Sequence, residues 1–139
     1  MLRATRRGFR KPAFAISEAG HRVATLAELG SRGCRFVVAG QHFRVFHEGR
    51  TRVTLTGPAG YVATADGERD RLEWTISSAA GRWEFVRAWD SAWELHSGGH
   101  PVGAVEQDGA TTAHADLPGD VPLPLRVFFF YLALWLWGR

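Results

Sequence analysis

The sequence has almost nothing with which to build a covalent or metal-held framework. Of its 139 residues one is cysteine, Cys34. No internal disulfide can form, and no second thiolate exists for a Cys-based zinc site. That favours a reducing compartment, and the expected location is the cytoplasm, peripheral at a membrane if anywhere on one. The chain also lacks a G-x-G-x-x-G after a strand, a P-loop, a G-x-S-x-G and an H-E-x-x-H. No cofactor, no metal and no catalytic constellation is therefore expected, and the protein reads as a non-enzyme. There is no linker, low-complexity tract or internal repeat of about 20–50 residues. The N-terminus, Met1-Leu2-Arg3-Ala4-Thr5-Arg6-Arg7, shows no apolar run after its first charges and does not read as a signal peptide.

Large rings are abundant. Six Trp and nine Phe in a chain that is 45% hydrophobic suggest a core built from aromatic side chains. A chain of this length can bury about two thirds of its unfolded surface, so it needs no staple. Charge is uneven. Arg3, Arg6, Arg7, Arg10 and Lys11 hold five of the 17 basic residues with no acid among them, leaving 12 against 14 acids elsewhere. Residues 1–11 thus read as a flexible basic arm, and residues 12–139 as one domain. Such an arm can touch anionic lipid or nucleic acid; a solvated, mobile terminus is the plainer reading.

Turn signals recur at the spacing of a β-meander or barrel. Phe36 and Val38 share one face of a strand by period-2 spacing, as do Phe43 and Val45. A two-residue loop at Gly40-Gln41 would set Val38 opposite Phe43 and Phe36 opposite Val45 on one face. A three-residue loop at Glu48-Gly49-Arg50 would set Val45 opposite Val53 and Phe43 opposite Leu55. Leu72, Trp74 and Ile76 alternate, and so do Trp83, Phe85 and Trp89, with Arg87 as an exception. A Gly98-Gly99 turn would set Leu95 opposite Val102 and Trp93 opposite Ala104, with glycine suited to the positive φ of a type I′ turn. Loops are expected at 57–60 and 66–68. About nine to eleven short strands fit between Ala13 and Ala115 by period-2 alternation.

The pattern changes after Pro118. Val127 to Trp137 carries no polar side chain except the Tyr131 hydroxyl. Asp120 is suited to cap a helix start, and Pro122 and Pro124 fit a first turn. Gly138 fits the position just past a helix end. The expected helix runs from about Pro122 or Pro124 to Trp137. A helix apolar all round must be enclosed by protein or lipid. Fourteen residues span about 21 Å at 1.5 Å per residue, whereas a bilayer core of about 30 Å asks for about 20 apolar residues. A plug through a small β-barrel fits better; the alternative is a small integral membrane protein anchored by this helix.

The order of features over residues 83–139 resembles the closing part of tubby-like barrels, as in LURP-one-related proteins and phospholipid scramblases. Trp93-Glu94-Leu95-His96 precedes the Ser97-Gly98-Gly99 turn, and Val102-Gly103-Ala104-Val105 follows a recurrent V-G-x-[VI] pattern. An acidic, proline-bearing lead-in, Asp116-Leu117-Pro118-Gly119-Asp120, precedes the apolar helix. The resemblance implies a closed or nearly closed antiparallel barrel of about 10–12 short strands around a central hydrophobic α-helix. It also implies binding of phosphoinositide headgroups through basic surface residues, or association with calcium. Calcium is not carried over, because Asp108 and Asp116 are too few and too spread for a site of about six oxygen ligands. The candidate anion-binding residues are Arg3, Arg6, Arg7, Arg10 and Lys11.

Isolated polar residues have plain readings. Cys34, placed on the apolar face opposite His47, is a small buried hydrophobe before it is a nucleophile. His42 and His47 read as surface strand residues, and His96 and His100 as accidental neighbours across a turn. Arg87 is expected to pair with Glu94. The expected function is a monomeric, non-enzymatic barrel that binds anionic lipid at a membrane surface or a protein partner; nucleic acid is not favoured.

Overall fold

The computed structural model describes residues 1–7, 13–30, 32–68 and 72–138. Twelve strands precede one helix: β1 (Leu2–Arg7), β2 (Ala13–Glu18), β3 (His21–Gly30), β4 (Gly33–Val38), β5 (Gln41–Glu48), β6 (Arg52–Gly57), β7 (Gly60–Asp66), β8 (Glu73–Ser78), β9 (Gly81–Trp89), β10 (Ala92–Ser97), β11 (His100–Gln107), β12 (Thr112–Asp116) and α1 (Leu123–Leu136). Each strand pairs antiparallel with its sequence neighbours, and β1 pairs with β12 to close a barrel. Closure removes every sheet edge, the usual liability of an all-β protein.

The wall follows the alternation of its residues. Phe36, Val45, Leu55, Trp74, Ile76, Phe85 and Leu95 are buried, and each is separated by one residue from another buried side chain on its strand. The helix fills the cylinder: Val127 to Leu134 are all buried, most of them completely. Inward alanines at Ala4, Ala63, Ala65, Ala113 and Ala115 leave room for its three consecutive phenylalanines. The apolar segment is therefore enclosed by its own protein, and it is 14 residues long. No helix among the described residues is long and apolar enough to cross a membrane.

Several expectations are corrected. The arm is a strand over Leu2–Arg7: Leu2 and Ala4 point inward, and Arg3 pairs with Ser17 and His114. Two inward apolar residues sufficed to recruit it, because the barrel needs a closing strand. Residues 8–12, including Arg10 and Lys11, lie outside the described residues. The β4–β5 turn is Ala39-Gly40, so Phe36 faces Phe43 and Cys34 faces Val45. Val45 likewise faces Leu55, and His47 faces Val53. Both registers are displaced by two residues, which keeps every side chain on its expected face. The Gly98-Gly99 turn forms as expected, with φ of 58° and 81°. A bulge between Leu95 and His96 then sets Trp93 opposite Val105 and Leu95 opposite Gly103. Val105 is consequently buried and Val102 exposed. Leu72 and Trp89 are exposed rather than inward; Leu72 precedes β8, and a bulge at Ala92/Trp93 shifts Trp89 out of phase.

Gly103 has a specific reason to be glycine. A Cβ there would lie 2.6 Å from the Asp116 carbonyl oxygen and 3.2 Å from Leu117. The chain leaves β12 at that point and turns toward the helix, so the close approach sets where α1 enters the barrel. Asp120 does not cap α1. The cap residue is Pro122, with no side-chain hydrogen bond; its carbonyl accepts from the N–H groups of Leu125 (3.0 Å) and Arg126 (3.1 Å). Arg126 fastens the entry, donating to Val121 O at 3.0 Å and to Glu18 Oε2 at 2.9 Å. Gly138, with φ of 79°, follows the last turn as expected.

Candidate functional site

A concavity on the wall lies beside β3 and β4, whose pairing register is interrupted. Registered pairs between these strands are Ala27↔Arg35 and Gly30↔Gly33, with an irregularity between them. Glu28 sits in that irregularity at φ 53°, a conformation uncommon for a residue with a side chain. Among the described residues no pair is registered from Arg35 toward the Ala39-Gly40 turn. By contrast β4 and β5 are registered along their whole length. A groove of about 620 Å³ opens on the outer face along this seam.

Four basic side chains form its rim: Arg22 on β3, Arg35 on β4, and His42 and Arg44 on β5. Register brings them together, because Arg35 faces Arg44 directly and Val37 faces His42. Among the described residues that line the groove none is acidic. Glu28 reaches Arg35 from outside it at 3.1 Å, in a pair whose side chains are 63% and 69% exposed; such a pair contributes little and exchanges readily. Arg44 lies 5.6 Å from the ring centre of Phe46, which steadies its guanidinium by a cation–π contact. Below the rim the lining mixes apolar side chains with Thr25 and Thr56. Val23 and Val37 flank the opening, and the buried Phe36 and Phe43 stack beneath at 5.3 Å and 13°. Gly57 lets this stack reach the groove, since a Cβ on it would sit 2.8 Å from Phe43. A separate, smaller hollow of about 160 Å³ shares Arg35 and Arg44 with the groove and is lined also by Glu28, Arg32 and Cys34.

The residues singled out from sequence are dispersed. Arg3, Arg6 and Arg7 are exposed on β1. Arg3 lies across Ser17 from Arg22, so it extends the basic surface without lining the groove. No family model, curated protein or solved structure matches this chain. The functional reading therefore rests on the chain's own geometry.

Other polar clusters have structural explanations. Cys34 is buried opposite Val45 rather than His47, and burial pushes its thiol pKa well above the ordinary range, so it is a poor nucleophile. His47 is not a surface residue. Its Nε2 shares a 2.7 Å hydrogen bond with the Tyr131 hydroxyl, and its ring packs edge-on to Trp135 at 4.6 Å. It thus ties β5 to the last turns of α1. Arg87 pairs with Asp90 instead of Glu94, because register sets it opposite Trp93. His96 approaches Glu94 at 3.4 Å, within its own strand. His114 lies between Asp108 (2.6 Å) and Glu106 (3.5 Å). Among the described residues no group of three or more His, Cys, Asp or Glu side chains could hold a metal ion.

Charge follows the same geography as the groove. Residues 1–57 hold 11 of the 17 basic and 3 of the 14 acidic side chains, so residues 58–139 hold 6 and 11. In a meander barrel the first and second halves of the chain form opposite sides. Among the described residues the first flank carries 9 basic and 3 acidic side chains and the second 3 and 10, so one flank is basic and the other acidic, and the groove lies in the basic flank.

Proposed function

We propose that this protein is a non-enzymatic binding module of the tubby-like, LURP-one-related type whose basic flank docks on an anionic membrane surface in the cytoplasm. One observation carries the reading: Arg22, Arg35, His42 and Arg44 converge on a groove with no acidic residue in its described lining. Guanidinium groups present planar forks that match phosphate oxygens. The basic and acidic flanks orient the molecule, because an anionic surface attracts one side of the barrel and repels the other. The twelve-strand barrel around a C-terminal helix supports the family resemblance. The protein acts as a monomer in this reading, with no cofactor.

Removing the N-terminal segment is not a clean test, because β1 closes the barrel. Substitution is. Arg22→Gln, Arg35→Gln and Arg44→Gln combined should abolish co-sedimentation with vesicles of mixed phosphatidylserine and phosphatidylcholine. Each basic side chain near such a surface is worth about 1 kcal/mol, so the triple variant should bind about a hundredfold more weakly. Arg82→Gln, on the acidic flank, should change little. Rising salt should weaken the parent. Equal pelleting of the parent and triple variant, or none by either, would overturn the proposal.

A further inference from the structure

We infer that the seam between β3 and β4 takes an extended peptide as an added strand, with acidic side chains outward at the basic rim and small apolar side chains inward. The inference goes beyond docking on a membrane and stands without it, because it starts from main-chain geometry.

The Ala39-Gly40 turn has φ of 50° and 77°, the type I′ geometry of a two-residue hairpin. Its closing pair, Val38↔Gln41, therefore exchanges both hydrogen bonds across the hairpin. Such pairs alternate along an antiparallel ladder. Cys34 and Phe36 thus also bond toward β5, whereas Arg35 and Val37 aim their N–H and C=O groups toward β3. Arg35 is met there by Ala27. By the same alternation Thr25, two residues before Ala27, aims toward β4, and continuing the register would set it opposite Val37. That pair is not registered, and none follows it toward the turn. Each strand is paired on its other side, Thr25 with Ala15 and Val37 with His42. Beyond Ala27 and Arg35 the seam therefore presents two facing strand edges. Main-chain groups at such edges need a partner, whether water or another strand, and an unpaired edge is the usual template for strand addition.

The groove lies at these edges. Thr25 and Val37 both line it, together with the inward-pointing Ala24 and Phe36 beside them. Side-chain chemistry then selects the guest, whose residues must alternate between the two sides of the wall. On the outer side a guest strand meets Arg22, Arg35 and Arg44, with no acid in the described lining; carboxylates match those guanidinium forks. On the inner side it meets Phe36, stacked on Phe43, where small apolar side chains suit. A simple anion would use the rim and leave both edges to water. A neutral peptide would pair with the edges and leave the arginines without a counter-charge in the lining. A peptide alternating acidic and small apolar residues answers both.

The test uses the full chain and three hexapeptides blocked at both ends. One alternates glutamate and valine. The second has the same side chains but carries N-methyl groups on alternate residues, which removes the donors along one edge. The third alternates lysine and valine. By calorimetry the glutamate peptide should bind, and its N-methylated form should bind about tenfold more weakly, the net worth of about two main-chain hydrogen bonds. The lysine peptide should not bind, and Arg35→Gln should weaken the glutamate peptide. Amide hydrogen exchange followed by NMR supplies a reading that charge alone cannot mimic. In the free protein the amides of Thr25 and Val37 should exchange faster than those of Ala27 and Arg35, and they should slow when the glutamate peptide is added. Equal affinity for the glutamate peptide and its N-methylated form would overturn strand addition, and so would no binding of either. Thr25 and Val37 amides already protected in the free protein, or unslowed by saturating peptide, would overturn it as well. Vesicle binding is measured on the same preparation, so the membrane reading holds or fails separately.

Discussion

Replacing Phe129 by alanine tests whether α1 lies inside the wall. Phe129 is completely buried. Its ring meets Trp83 edge-on at 5.7 Å and 75°, and Phe85 in a stacked arrangement at 6.3 Å and 21°. Truncation removes the buried ring and leaves a cavity bounded by β9 and the rest of the helix. Such substitutions cost about 3–5 kcal/mol, part of it the roughly 0.5–1.5 kcal/mol of aromatic pairing beyond area burial. A domain of this size is stable by roughly 7–21 kcal/mol, so the variant should still fold. With an unfolding entropy of about 2.1 cal/mol/K per residue, the midpoint should fall by about 10–17 °C. Thermal unfolding followed by far-UV circular dichroism measures this, and urea unfolding should show a lower midpoint with an unchanged slope. Trp89→Ala is the control: Trp89 is also a large ring but is 57% exposed, and its loss should cost about 0.5 kcal/mol or less. A Phe129→Ala midpoint no lower than that of Trp89→Ala would refute the enclosure of the helix. A double-mutant cycle with Trp83→Ala should give a coupling of about 0.5–1.5 kcal/mol.

Two further predictions concern single close contacts in the wall. Gly103→Ala should destabilise by about 1–3 kcal/mol, because its Cβ would fall 2.6 Å from a main-chain oxygen of β12 that cannot swing aside; a neutral result by thermal unfolding would mean that β11 and β12 do not approach as described. Cys34 should resist thiol reagents in the native state and react once the chain is unfolded, since burial keeps it protonated. Its folded pKa is raised above the unfolded value near 8.5. The stability it supports is thus fully present below about pH 8.5 and declines above it, by up to about 1.4 kcal/mol per pH unit, a slope that Cys34→Val should remove.

Much of the fold was legible because two strong signals are independent of detail. Alternation assigns a face without fixing a partner. The β4–β5 and β5–β6 registers are each displaced by two residues from the simplest pairing, yet Phe36, Phe43, Val45 and Leu55 all point inward, because a two-residue slide preserves parity. The helix was legible because Val127–Trp137 has no polar face to give to water, and 14 residues are too few for a bilayer. Bulges were not legible. The one at Leu95/His96 moves the inward valine from 102 to 105, and it follows from pairing geometry around Pro101, which lacks an N–H. β1 was hidden because Arg3, Arg6 and Arg7 dominate a segment whose only inward residues are Leu2 and Ala4. The same residues explain why the basic arm was the natural anion-binding candidate: a run of arginines adjacent in sequence is conspicuous, whereas arginines adjacent in space are not.

Arg22, Arg35 and Arg44 each look like a solvated position on an amphipathic strand, and no spacing rule links them. Arg35 and Arg44 meet because β4 and β5 form a tight hairpin that sets one against the other, and Arg22 joins them in the groove lining from the adjacent β3. A site of this kind is a property of register, and register is what sequence specifies least. Its sequence-level trace is coarse: the imbalance of charge between residues 1–57 and 58–139. In a helical bundle such an imbalance would be scattered around the molecule, because each helix has several faces. In a meander barrel it maps directly onto two sides of a cylinder, since each strand shows only one face to solvent. Reversing the sign of Arg35 and Arg44 should therefore do more than weaken a contact. It should split the basic flank and reorient the molecule at any anionic surface it meets.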